Sequence, residues 1–122
     1  LLERILNDLN NDDYLYVTID TAQAVGFPLM KMDEIIGKFS NKIISFHVRD
    51  VNPTISKDML ACGEGIIDWE AFVDLLLKLN IKAPLIFEVS DKEGALMSRE
   101  YLENLVYSKL QPESTEEQIL VG

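Results

Sequence analysis

The sequence predicts a single α/β domain built on parallel strands, and three observations lead there. Three short runs, 14–19, 43–48 and 84–87, are rich in β-branched and aromatic residues and are bounded by turn-forming ones. The segments between them carry apolar residues at helical spacing, so the order is helix, strand, helix, strand, helix, strand, helix. Each run also ends in ionisable side chains: Asp20 after Ile19, His47 with Arg49 and Asp50 in the middle run, and Glu88 after Phe87. In parallel sheets covered on both faces, ligands gather beyond the carboxyl ends of the strands.

Length and composition fit this reading. A chain of 122 residues with 48% hydrophobic and 26% charged residues can form one domain with a real core. No apolar segment approaches the length that spans a bilayer, and no basic-then-apolar leader stands at the start. The chain opens Leu1-Leu2-Glu3 rather than with Met, so the lack of a leader carries little weight. The single Cys62 has no internal disulfide partner, which fits a reducing compartment; the expectation is a soluble, cytoplasmic protein without a membrane partner. A net charge of −10 repels phosphate backbones, and the 11 Lys and Arg residues are scattered among acids. Nucleic acid is therefore disfavoured as a partner.

Taken in order, Leu1, Leu2, Ile5, Leu6 and Leu9 mark one face of a first helix, which Asn10-Asn11-Asp12-Asp13 stops. The first strand is expected over Tyr14 to Ile19. Residues 21–28 read as a loop whose small side chains would let backbone approach a ligand. Met32, Ile35, Ile36 and Phe39 predict a helix over about 29–39. The second strand, Ile43 to Val48, holds the only histidine. Residues 51–65, with Pro53, Gly63 and Gly65, predict a long loop over the strand ends. Asp68 is placed to cap a helix over 69–80, with Phe72, Val73, Leu76, Leu77 and Leu79 on its core face. After the third strand, Ser98 and Glu100 are expected to open the last helix, which runs to about Leu110. From Gln111 the chain is polar and acidic, so the domain is read as 1–110, followed by a disordered tail over 111–122. Three strands cannot close a barrel. They form either a small open sheet or a piece of a larger one.

Asp20, His47 and Glu88 offer two carboxylates and an imidazole, a ligand mix suited to Mn²⁺, Mg²⁺, Co²⁺ or Zn²⁺. By themselves these residues fit a blander account better, as strand-end residues bonded to loop amides. Asp20 could cap a helix, His47 could be a bonded core histidine, Arg49 and Asp50 could form a rim ion pair, and Gly63-Glu64-Gly65 could be a tight turn. Trp69 and Cys62 read as packing residues.

Read together, Ile19-Asp20-Thr21-Ala22-Gln23-Ala24, Phe46-His47-Val48-Arg49-Asp50, Gly63-Glu64-Gly65-Ile66-Ile67-Asp68-Trp69 and Leu85-Ile86-Phe87-Glu88-Val89 resemble the motifs of the xylose isomerase-like barrels. That superfamily contains sugar isomerases and epimerases, inosose dehydratases and endonuclease-IV type apurinic-site nucleases. The resemblance covers about Asp13 to Leu105. It implies that the chain is the C-terminal part, three strand-helix units, of a (β/α)8 TIM barrel. It also implies that Asp20, His47 and Glu88 are metal ligands, that Glu88 exchanges a proton with a sugar, and that Arg49 and Gln23 contact substrate. The second proton-exchanging carboxylate of the epimerases lies on an earlier strand, outside this chain.

Gln23 stands where the family usually has His, and Lys57 and Met59 replace an Asp and a His of the nucleases' zinc site. The resemblance therefore implies metal-assisted proton transfer beside a carbonyl of a sugar or sugar phosphate, ahead of a nuclease or phosphodiesterase. The alternative from a different class is a catalytically inert half-barrel that pairs with another copy to cover open strand edges.

Overall fold

The structure, a computed structural model, describes residues 2–26, 30–55, 57 and 59–111. Residues 112–122 of the acidic tail, and Leu29 at the expected start of the second helix, lie outside the described residues. The elements are α1 (Leu2–Asn11), β1 (Val17–Asp20), α2 (Thr21–Val25), α3 (Met32–Lys38), β2 (Ile43–Val48), α4 (Trp69–Lys78), β3 (Leu85–Phe87) and α5 (Lys92–Leu110). The three strands form one parallel sheet in the order β1-β2-β3. Among the described residues, the outer edges of β1 and β3 carry no further strand. No helix among them is long and apolar enough to cross a membrane.

Helices cover one side of the sheet. Phe46 and Val48 of β2 are fully buried and Ile19 of β1 nearly so, packed with Ile36, Trp69, Phe72, Val73 and Leu102. Phe72 sits at the centre of an aromatic group, with its ring edge-to-face against Phe46 at 5.3 Å and against Trp69 at 5.4 Å. The other side of the sheet is open: Ile44 is 56% and Ile86 47% exposed.

The register decides which polar side chains share that open side. Val17 pairs with Ile43 but Thr18 pairs with Ser45, so β2 carries one extra residue at Ile44. Beyond this irregularity, Thr18 faces Ser45 and Asp20 faces His47, which is itself opposite Ile86. Side chains alternate across a strand, so Thr18, Ser45, Asp20 and His47 lie on the open side, with Phe46 and Val48 on the covered one. The Thr18 and Ser45 hydroxyls are 2.8 Å apart.

Several sequence expectations need correction. The first strand begins at Val17, because Asp12 Oδ1 accepts the Tyr14 and Leu15 amides in a turn and leaves Tyr14, Leu15 and Tyr16 exposed. Thr21–Val25 is a short helix rather than a loop, because Asp20 caps it by accepting the Gln23 amide at 3.1 Å. The next helix is shorter than periodicity predicted: Met32–Lys38. The last helix starts at Lys92, well before Ser98, because Asp91 Oδ1 accepts the Gly94 amide and caps it there. Ser98 is instead buried in mid-helix. Asp68 caps α4 as expected, accepting the Ala71 amide at 3.0 Å. On α1, Ile5 is 47% exposed, so that part of the apolar face is not covered by the rest of the described chain.

Candidate functional site

The carboxyl ends of the three strands bring the predicted residues to one rim. His47 Nδ1 lies 2.5 Å from Glu88 Oε1, and both side chains are about one third exposed, at 36% and 34%. Their backbones are held together as well: the Glu88 amide donates to the Val48 carbonyl at 3.0 Å, extending the β2–β3 ladder one residue past β3. Such a contact at a strand end leaves both groups reachable from the open side of the sheet.

Asp20 stands on the other flank of His47. Its Oδ1 accepts the Gln23 amide and lies 3.4 Å from Arg49 Nε, with the Arg49 and Asp20 side chains only 17% and 16% exposed. The structure thus brings His47 to Glu88 and Asp20 to Arg49. Among the described residues, no three His, Cys, Asp or Glu side chains converge at metal-ligating spacing. Gln23 is exposed, and with Asp20, Thr18, Ile35 and Phe39 it lines a hollow of about 200 Å³ at the outer edge of β1.

The chemistry of the donor set still fits a divalent cation. An imidazole between two carboxylates, on one face of adjacent strand ends, is the hard-to-borderline set that Mn²⁺, Mg²⁺, Co²⁺ or Zn²⁺ accepts. Asp20, His47 and Glu88 are the residues that would hold it.

The residue that organises the rim is one whose role the sequence reading placed elsewhere. Asp50 does not form a rim ion pair with Arg49. It is 1% exposed, and its carboxylate accepts N–H bonds from Val51, Gly63, Gly65, Ile67 and the Trp69 indole. The backbone adds an Asp50 to Leu60 bridge, with the Asp50 amide donating to the Leu60 carbonyl at 2.8 Å. Gly65 is demanded by this arrangement, because a methyl group there would strike the Val51 carbonyl and the Asp50 carboxylate. Gly63 has φ +95° and lies against the Tyr101 ring.

The Gly63-Glu64-Gly65 turn is therefore a backbone-amide nest filled by an internal carboxylate. The spacing of Asp50 to Gly63 and Gly65 in the sequence was the available signal, and it is uninformative until the loop is seen to fold back. Cys62 next to it is buried, and its amide donates to Ser98 Oγ at 3.0 Å. Burial, with the Asp50 charge adding to it, pushes the thiol up to about 12 against the opposing Ser98 hydrogen bond. Cys62 is a core residue and not a nucleophile.

A family model described as the xylose isomerase-like TIM barrel matches residues 2–106. The chain belongs to that family. Its open parallel sheet with helices on one face is part of the family's barrel, and the strand-end rim just described is the carboxyl-terminal face of that barrel. Among solved structures, the chain is similar to the crystal structure of a D-tagatose 3-epimerase-like protein, with a TM-score of 0.69 and 24% identity. That match covers 89% of this chain and 43% of the other, so this xylose isomerase-like chain spans less than half the length of its structural neighbour. No curated protein matches it.

Proposed function

We propose that this chain carries part of the site of a metal-dependent sugar or sugar-phosphate isomerase or epimerase. The observation that carries the reading is the His47–Glu88 contact at the ends of adjacent parallel strands, with Asp20 on the other flank of His47. Partly exposed titratable groups in contact on the carboxyl-terminal face of a barrel have the placement of catalytic residues. The epimerase-like structural neighbour supports the same class of chemistry.

In this reading Asp20, His47 and Glu88 hold a divalent cation, which would polarise a carbonyl and make the adjacent C–H more acidic. Glu88 is the proton acceptor, since its partly exposed carboxylate stands against His47 at the strand-end rim. His47 orients Glu88 through Nδ1. Arg49 and Gln23 face the flank of Asp20, where they would contact substrate hydroxyl or anionic groups.

The test is calorimetric titration of the chain with Mn²⁺, repeated on His47→Ala and Glu88→Gln. Stoichiometric binding that both substitutions abolish supports the reading. Binding that survives both places the cation elsewhere and sinks it, as does no binding to the unaltered chain.

A second reading rests on the outer edges of β1 and β3, which carry no further strand among the described residues. Unpaired strand edges are surfaces for pairing with another chain, and a second copy is the simplest occupant. Sedimentation equilibrium across a concentration range checks it: a monomer throughout removes this reading.

A further inference from the structure

We propose that Thr21 is a positioning residue of the rim, whose hydroxyl sets Asp20 and Arg49 in place. The inference rests on the functional reading above for its metal readout, but its geometry stands on separate contacts.

The last ladder pair of β1 and β2 is Asp20 with His47. At the next residue the chain leaves the sheet and turns into α2, so β1 has no backbone left to serve Arg49, two residues beyond His47. The Thr21 side chain takes over. Its Oγ1 donates to the Arg49 carbonyl at 2.7 Å and accepts the Arg49 amide at 3.1 Å. One hydroxyl thus satisfies both backbone groups of a single residue, which uses its donor and one acceptor site. Thr21 itself is fully buried, so water does not compete for these bonds.

The consequence follows from chain connectivity. Thr21 is bonded to Asp20 and hydrogen-bonded to Arg49, so this hydroxyl fixes how far the end of β1 sits from the end of β2. That spacing brings Asp20 Oδ1 within 3.4 Å of Arg49 Nε and keeps Asp20 opposite His47. On the far side of Arg49, the Asp50 carboxylate locks the following loop. Arg49 therefore sits between two anchors, and Thr21 is the one that addresses the candidate ligand Asp20.

The test compares Thr21→Val, which keeps the shape and removes the hydroxyl, with Thr21→Ser, which keeps the hydroxyl. Val73→Ala, a core substitution away from the rim, serves as a control for lowered stability alone. Two readouts are taken on folded protein: the ¹⁵N resonance and hydrogen exchange of Arg49 Nε–H, and the affinity for Mn²⁺. Thr21→Val is expected to shift the Nε–H resonance, speed its exchange about tenfold and weaken Mn²⁺ binding about tenfold. Thr21→Ser and Val73→Ala are expected to stay within about twofold of the unaltered chain on both.

A folded Thr21→Val that matches the unaltered chain on the Arg49 resonance overturns the proposal. If Thr21→Val does not fold, Thr21→Ser decides: a tenfold loss there shows that packing and not the hydroxyl matters, and overturns it equally. Failure of the unaltered chain to bind Mn²⁺ removes the functional reading, while the Arg49 Nε–H readout still judges Thr21.

Discussion

The Trp69 indole donates to Asp50 Oδ2 at 2.8 Å, from the first residue of α4 to a carboxylate just past the end of β2. This one bond joins the hydrophobic core to the strand-end rim, because Trp69 also packs edge-to-face on Phe72. Asp50 is charged, buried and surrounded by N–H donors, so its replacement by an isosteric amide does more than remove a charge. Either orientation of Asn sets an NH₂ group against at least two N–H donors. Asp50→Asn is expected to cost about 3–5 kcal/mol, measured by urea unfolding, since several charge-assisted bonds are lost together. A loss under about 1 kcal/mol would show that the loop holds without this hub.

The two glycines of the turn are expected to differ. Gly65→Ala places a methyl group against backbone and the Asp50 carboxylate, neither of which can give way, and should cost roughly 3 kcal/mol or more. At Gly63 the φ of +95° is strained for alanine, and the methyl would come 2.9 Å from Tyr101 Cε2, the edge of a ring that can shift. Gly63→Ala should cost about 1–2 kcal/mol. Thermal unfolding of both variants checks the order; an equal or reversed ranking contradicts it.

His47 and Glu88 should matter little for stability. Their contact is short, but both side chains are about one third exposed, where solvent screens the pair. His47→Asn and Glu88→Gln are each expected to change the unfolding free energy by less than about 1 kcal/mol. A larger loss would mark the pair as structural support for the β2–β3 edge and weaken its assignment as a site.

Cys62 gives an alkaline signature. Burial raises its thiol from the ordinary 9.0 to about 12, so below pH 9 the folded and unfolded chains hold this proton alike. Between pH 9 and 12 the unfolded chain gives the proton up while the folded one keeps it, and stability falls as pH rises. The full contribution is thus present below about 9 and is lost as pH climbs to the folded value. The unfolding free energy measured from pH 8 to 11 should fall more steeply in the unaltered chain than in Cys62→Ala. An aromatic disulfide reagent at pH 8 should label Cys62 only as the protein unfolds; rapid labelling of the folded protein would refute its burial.

By itself the sequence determined the class of fold and the cast of rim residues. The β-branched runs around Ile19, Phe46 and Ile86, separated by helical spacing, specify parallel strands because side-chain period follows local backbone geometry. The same locality makes Asp68 legible as a helix cap, since a cap and its amide lie three residues apart. Even here competition between nearby signals misled: Asp91 wins the last helix start over Ser98, and Asp20 turns a loop of small residues into α2.

Only the tertiary structure decided what the rim residues touch. Asp50 meets Gly63, Gly65 and Trp69 across a loop, and Thr21 meets Arg49 across the sheet, at sequence separations where no periodicity speaks. The extra residue at Ile44 sets which side chains share the open face with His47, and a one-residue shift in register leaves no mark in composition. Buried polar groups must find partners wherever the fold brings them, so those pairings belong to the packing of whole elements.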